Sequence, residues 1–192
     1  MQGVVDATSP EDEEILVGRA RAGDRDAFGH LVDRYRRRAY VQALGLVGSR
    51  EDALDLSQEA FVRAYRARRT LDPARPFYAW LYQILRRLCF NFLRNARTRE
   101  RRMQEEGRAW LVDRAEAAAL DPAAALDRAE TRRRVALALE QLPAREREVL
   151  VLKEFEDLKY REIAQLVGIP IGTVMSRLYS ARRRLAETLG RP

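Results

Sequence analysis

The sequence predicts an all-α protein of two small helical domains joined by a flexible linker. Three observations predict it. Few segments alternate polar and apolar residues as a half-buried strand does. Glycines and prolines fall where helices start or stop, at Pro10, Gly23, Gly48, Pro73, Pro76, Gly168 and Pro170. Helical periodicity fades between residues 97 and 128, where charge clusters and alanines take its place.

In chain order, residues 1–22 read as a leader ending in a short helix, with Ser9 as N-cap, Pro10 at the first helical position and acids in the first turn. The first domain is expected over 23–96. Gly23-Asp24 restarts a longer helix, Arg25 to Val47, with Phe28, Leu31, Val32, Tyr35, Ala39 and Leu46 as its apolar stripe. After Gly48, Ser49-Arg50-Glu51-Asp52 reads as a capping box opening a helix to about Arg68. Thr70 to Pro76 is a loop, because two prolines remove backbone donors. A helix from Phe77 to about Asn95 follows, on a core stripe of Leu81, Ile84, Leu85, Leu88 and Phe92, with Trp80 and Phe92 expected mainly in the core.

Residues 97–128 form the linker, with a transient helix near Trp110 to Leu120. The second domain, 129–192, carries helices at about Ala129–Gln141, Ala144–Glu156, Tyr160–Val167 and Ile171–Thr188.

Composition narrows the function. The apolar fraction of 46% suffices for packed cores. A net charge of +7 makes nucleic acid the leading partner. Every basic side chain is arginine except Lys153 and Lys159, which suits phosphate and base contacts, although codon bias gives the same excess. Cys89 and His30 are the only residues of their kinds, so a Cys/His metal site has no ligands and no disulfide forms within the chain. No run of about 18 apolar residues spans a membrane, and the acidic Glu11 to Glu14 stretch is unlike a signal peptide. The expectation is a cytoplasmic protein with no catalytic centre, metal or cofactor and no membrane insertion.

The sharpest local signal runs from Leu158 to Leu178. Ile163, Ala164 and Val167 share a helical face, Gly168 stands where a left-handed residue is needed, and Ile169 plugs the turn. Val174, Leu178 and Ala181 face inward on the next helix. Thr173, Met175, Ser176, Arg177, Tyr179, Ser180 and Arg183 are left outward or flanking, as on a helix read into the major groove, with Arg177, Arg182, Arg183 and Arg184 making an arginine-rich end for phosphates. In the first domain, Asp52, Asp55, Gln58 and Glu59 share one face, while Leu54, Phe61 and Tyr65 share another. An acidic patch on a basic protein suits a basic protein partner better than phosphate. The helix from Phe77 holds six aromatics, and Tyr78, Tyr82, Arg86, Phe90 and Arg94 do not all fit its core stripe. Aromatics interleaved with arginine suit single-stranded nucleic acid.

Asp52-Ala53-Leu54-Asp55-Leu56-Ser57-Gln58-Glu59-Ala60-Phe61, followed by Phe77-Tyr78-Ala79-Trp80-Leu81-Tyr82, resembles region 2 of the sigma-70 superfamily. Tyr160 to Leu185 resembles its region 4. The short chain with only these two regions is similar to the extracytoplasmic-function (ECF) group of RNA polymerase sigma factors. The resemblance implies that Asp52, Asp55, Gln58 and Glu59 dock on the clamp helices of core RNA polymerase, whose flap is a further contact. It implies that the 70–76 loop and the following helix open the −10 element and hold one strand, with Tyr78, Tyr82, Arg86, Arg87, Asn91 and Arg94 as the contacting residues. Thr173, Met175, Ser176, Arg177, Tyr179, Ser180 and Arg183 would read the −35 element as duplex. It further implies control by an anti-sigma factor, and a linker whose acids Asp113, Glu116 and Asp121 mimic nucleic acid near the RNA exit path. Two departures stand out. Arg87 occupies a position where many members carry Asn, leaving only Asn91, and Met175 stands where relatives often carry arginine; a thioether packs on a thymine methyl but cannot bond guanine bidentately.

Two other classes compete. A stand-alone helix-turn-helix repressor or activator predicts a dimer on palindromic sites and gives the acidic face no role. A recombinase or nuclease needs a nucleophile or metal centre; Asp52, Asp55 and Glu59 face outward and form no closed pocket.

Overall fold

Two helices of the first half begin at a side chain, Asp24 or Ser49, that occupies their unpaired N–H groups. The structure, a computed structural model, describes residues 10–105 and 134–190, with side chains over 12–96 and 134–190; among them all regular structure is helical. The helices are α1 (Pro10–Ala22), α2 (Arg25–Val47), α3 (Arg50–Arg66), α4 (Phe77–Glu105), α5 (residues 134–141), α6 (Ala144–Glu154), α7 (Tyr160–Val167) and α8 (Ile171–Leu189). The chain divides into two compact units, one formed by Met1–Leu44 and Ser49–Cys89, the other by Gly45–Gly48 and Phe90–Pro192.

In the first unit, α1 ends at Gly23, whose φ of 109° only glycine adopts freely. Asp24 then caps α2. Its Oδ1 accepts from the backbone N–H of Asp26 (3.0 Å) and Ala27 (3.1 Å), and its Oδ2 accepts from Arg19 Nε (2.9 Å). The Ala27 amide and the Arg19 guanidinium hold the Asp24 carboxyl below its ordinary value. Ser49 caps α3, accepting from Asp52 N–H at 3.3 Å, the Ser49 half of the expected capping box. That helix stops at Arg66 and tightens into a 3₁₀ turn, Arg68–Thr70, so the expected single helix to Arg68 is split. In the loop beyond, Leu71 is buried, Asp72 Oδ1 accepts from Ala74 N–H (3.1 Å) and Asp72 O accepts from Arg75 N–H (3.0 Å). The tip, Ala74 to Pro76, is exposed.

Phe28, Leu31, Ala39, Leu81, Leu85 and Leu88 form the core expected of α2 and α4. The leader expectation changes: α1 buries Val17 and Ala20 in this unit and belongs to it. Its Glu13 joins three elements. One carboxylate oxygen accepts from the Phe77 backbone N–H at 2.8 Å, and the other accepts from the Tyr35 hydroxyl and from Arg34 Nη1 (3.3 Å). Burial and the bond to Glu13 push the Tyr35 phenol well above its ordinary value. The Phe77 ring sits between Phe28 (6.1 Å), Tyr35 (5.6 Å) and Trp80 (6.0 Å). Gln42 of α2 is fully buried, and neither its Oε1 nor its Nε2 has a partner among the described residues.

The helix from Phe77 was expected to end near Asn95; α4 continues to Glu105, so the stretch expected as linker begins as helix. The Trp110 to Leu120 segment and the acids Asp113, Glu116 and Asp121 lie outside the described residues.

In the second unit, α7 and α8 pack on α6 and on each other. Val149, Leu150, Val151 and Leu152 are all buried, as are Arg147 and Glu148. α6 stops at Glu154, short of the expected Glu156, because the chain turns through Asp157 in the left-handed region (φ 49°). Lys153 Nζ donates to the Asp157 carboxylate at 2.8 Å. No helix among the described residues is long and apolar enough to cross a membrane.

Candidate nucleic-acid interface

The helix-turn-helix forms as its residues dictate. Gly168 terminates α7 at φ 75°, and the N–H groups of Gly168 (2.9 Å) and Ile169 (3.0 Å) both donate to Ala164 O. At the other end of α7, Glu162 accepts from the Lys159 backbone N–H at 2.6 Å. Ile163 and Val167 meet Val174, Leu178 and Ala181 in the core, the inward set the periodicity predicts. The outward set divides by exposure. Met175 and Tyr179 are the most open large apolar residues of α8, at 53% and 69%, with Ser176 and Arg183 also exposed. Thr173, Arg177 and Ser180 are half-buried. Ser176 Oγ donates back to Thr173 O (3.1 Å), leaving its lone pairs to accept from a ligand. Met175, Tyr179, Arg182 and Arg183 line a groove of about 850 Å³ with Tyr160 of α7.

The arginine-rich end of α8 departs from expectation. Arg182 pairs with Glu154 (2.8 Å), while Arg184 pairs with Glu146 (3.2 Å), so both guanidinium groups fasten α8 to its neighbours. Arg183, 3.7 Å from Glu187 on its own helix, keeps an outward position.

On α4 the aromatic expectation is corrected. Tyr78 and Tyr82 are 3% and 0% exposed, closed to any base in this structure. The reason is geometric: Tyr78, Leu81, Tyr82, Leu85 and Cys89 repeat at helical spacing, so the buried stripe is wider than the aliphatic residues alone suggest. Tyr78 stacks on Tyr35 (5.6 Å) with the Arg38 guanidinium 3.7 Å from its ring centre. Arg87, Asn91 and Arg94 are exposed, with Arg86 and Phe90 half-buried beside them. Arg94 Nη2 donates to Asn91 Oδ1 at 3.1 Å. Counting back from Arg87, Asn91 and Arg94 by helical spacing reaches Trp80 on the same face, and Trp80 and Phe92 are half-buried rather than core. Trp80 is the aromatic that sequence reasoning set aside; its spacing from Arg87 was the signal.

On α3, Asp55 and Gln58 are exposed, and Asp52 and Glu59 half-buried. Glu59 is paired with Arg63 at 2.7 Å. Leu54, expected opposite, is 49% exposed, with Val62 at 43%. An acidic face carrying exposed apolar side chains fits a protein partner better than a merely solvated helix.

Residues 31–99 match the family described as Sigma-70 region 2, and residues 132–185 match Sigma-70, region 4. The RNA polymerase sigma-H factor of Pseudomonas aeruginosa is 34% identical over 93% of this chain and 94% of its own. The ECF RNA polymerase sigma-E factor of Escherichia coli strain K12 is 33% identical, over 90% of this chain and 92% of its own. Among solved structures, the sigma factor RpoE of Bartonella quintana, in complex with the anti-sigma factor NepR, superposes with a TM-score of 0.61 at 26% identity, covering 84% of this chain and 96% of that one.

Proposed function

This chain belongs to the extracytoplasmic-function group of the sigma-70 family, and from that premise we propose how its two units divide the work of a sigma factor in transcription initiation. The acidic and apolar face of α3, carried by Asp52, Asp55, Gln58 and Glu59 with Leu54 beside them, docks on the clamp helices of core RNA polymerase. The loop 70–76 and α4 take one strand of the opened −10 element. Arg87, Asn91 and Arg94 contact its backbone and bases, and Trp80 supplies an aromatic face. On α8, Met175, Ser176, Tyr179 and Arg183 meet the −35 duplex, flanked by Thr173, Arg177 and Ser180.

The observation that carries this reading is the outward set of α8 over a well-formed helix-turn-helix, in a chain that also carries an acidic protein-docking face. Unstacking a base costs a few kcal/mol, and contacts available only to the open strand return it. Opening is therefore differential binding, and only a favourable −10 sequence is accepted. The work is done in the cytoplasm, where polymerase and chromosome are, without catalysis by this chain.

The solved complex of a similar sigma factor with an anti-sigma factor supports control by a protein inhibitor of that kind. Mapping the 5′ ends of transcripts made by core polymerase with and without the chain tests the reading. New start sites sharing two upstream elements are expected; an unchanged set of start sites overturns it.

A further inference from the structure

The loop that presents the −10 strand in the proposed function hangs between two fixed points, and α1 touches both. At its start α1 packs against the 3₁₀ turn Arg68–Thr70. At its end, Glu13 of α1 accepts the Phe77 N–H at 2.8 Å. Phe77 is the first residue of α4, and its amide is among those a helix leaves unpaired. The residue before it, Pro76, has no hydroxyl or carboxylate to serve as a cap. A carboxylate more than sixty residues away in sequence fills the place, at the positive end of the helix dipole. The same carboxylate is held by the Tyr35 hydroxyl and Arg34 of α2. It is largely shielded, its side chain 18% exposed, so the bonds are poorly screened by solvent.

We propose that Glu13 is a positioning residue for strand capture: it caps α4 from a distance and fixes the entry angle of the loop 71–76, so that the exposed tip Ala74 to Pro76 and the Trp80 end of α4 are set before the strand arrives. The inference rests on the reading of that loop and helix as the −10 strand site. Between its anchors Leu71 is buried, and the stretch beyond it is held by the Asp72 turn and the Asp72–Arg75 pair (3.2 Å). Without the cap its far end frays with the first turn of α4, and ordering must then be supplied during binding.

The test uses holoenzyme assembled from core polymerase and the full-length chain. The probe is a labelled single-stranded oligonucleotide carrying the −10 element of a mapped start site, against a scrambled strand. Glu13→Ala is expected to weaken the specific strand about tenfold, the size of one lost charge-assisted hydrogen bond. Glu13→Gln, which keeps an oxygen facing the Phe77 amide, is expected to stay within about threefold of the parent. Affinity for core polymerase and for a −35 duplex should be unchanged in both. Tyr35→Phe removes one tether without opening a cavity and should fall between them. The proposal is overturned if Glu13→Ala binds the strand as the parent does, or if strand, core and −35 affinities fall together, which is a general folding loss. A parent holoenzyme that fails to tell the −10 strand from the scrambled one overturns the underlying reading, and this inference with it.

Discussion

Arg182 of α8 donates to the Glu154 carboxylate at the end of α6 at 2.8 Å, so a cation of α8 is taken up by a neighbouring acid. Both side chains are about half exposed, and the pair is worth little as a stabilising contact. Its larger effect is on charge. Replacing Glu154 with glutamine frees Arg182 for phosphate. The full chain should then bind non-promoter duplex about two- to threefold more tightly, and its log affinity should fall more steeply with log salt by about one unit. Fluorescence anisotropy over a salt series measures both; an unchanged slope means Arg182 cannot reach DNA.

Met175 and Ser176 stand outward on α8 with little packing to lose. Met175→Ala together with Ser176→Ala should change the preferred −35 sequence, weakening the best site by about 1 kcal/mol against its neighbours. Affinity for core polymerase should not move. Selection from a randomised −35 library reads the outcome, and an unaltered preference displaces the recognition surface from this helix.

Asp55 and Glu59 lie on the proposed docking face of α3. Arginine at both positions reverses the charge offered to the clamp. Binding to core polymerase should drop about 30-fold or more, while the helical circular dichroism stays intact. Retained affinity assigns the docking to another surface.

Gln42 buries an amide without a partner among the described residues. Gln42→Met keeps the volume and removes the unpaired polar atoms, so unfolding by urea should require about 1 kcal/mol more. A loss of stability would mean that the amide is bonded.

Asp24 gives a pH signature. Its carboxyl titrates below the ordinary 3.8, so it stabilises the fold above that value and loses this contribution as pH falls through its lower folded value. Asp24→Asn keeps the capping oxygen but not the charge. The variant should be less stable than the parent at pH 7, with the difference closing in strong acid. A difference constant with pH, followed by urea unfolding across the range, contradicts the assignment.

The order of helices was legible because their punctuation is local: Gly23, Ser49, Gly48, Gly168 and Pro170 stand at ends the structure keeps. The helix-turn-helix core was legible for the same reason, since Val174, Leu178 and Ala181 follow helical spacing. What escaped depended on partners distant in sequence. The Tyr35 ring and the Arg38 guanidinium of another helix cover Tyr78, and no periodicity within α4 reveals them. Arg182 and Arg184 counted as free cations until Glu154 and Glu146 were seen beside them. The reach of Glu13 to Phe77 spans a separation that no local pattern carries.

That last reach bears on where the gene can be cut. A fragment begun at Arg25 retains every side chain proposed to meet polymerase or DNA, and would pass for a complete promoter-binding module. It would nonetheless lack the acid that closes the first turn of α4, along with the buried Val17 and Ala20 of α1. Expression clones, alternative start codons and grafted chimeras of this domain should begin upstream of Pro10.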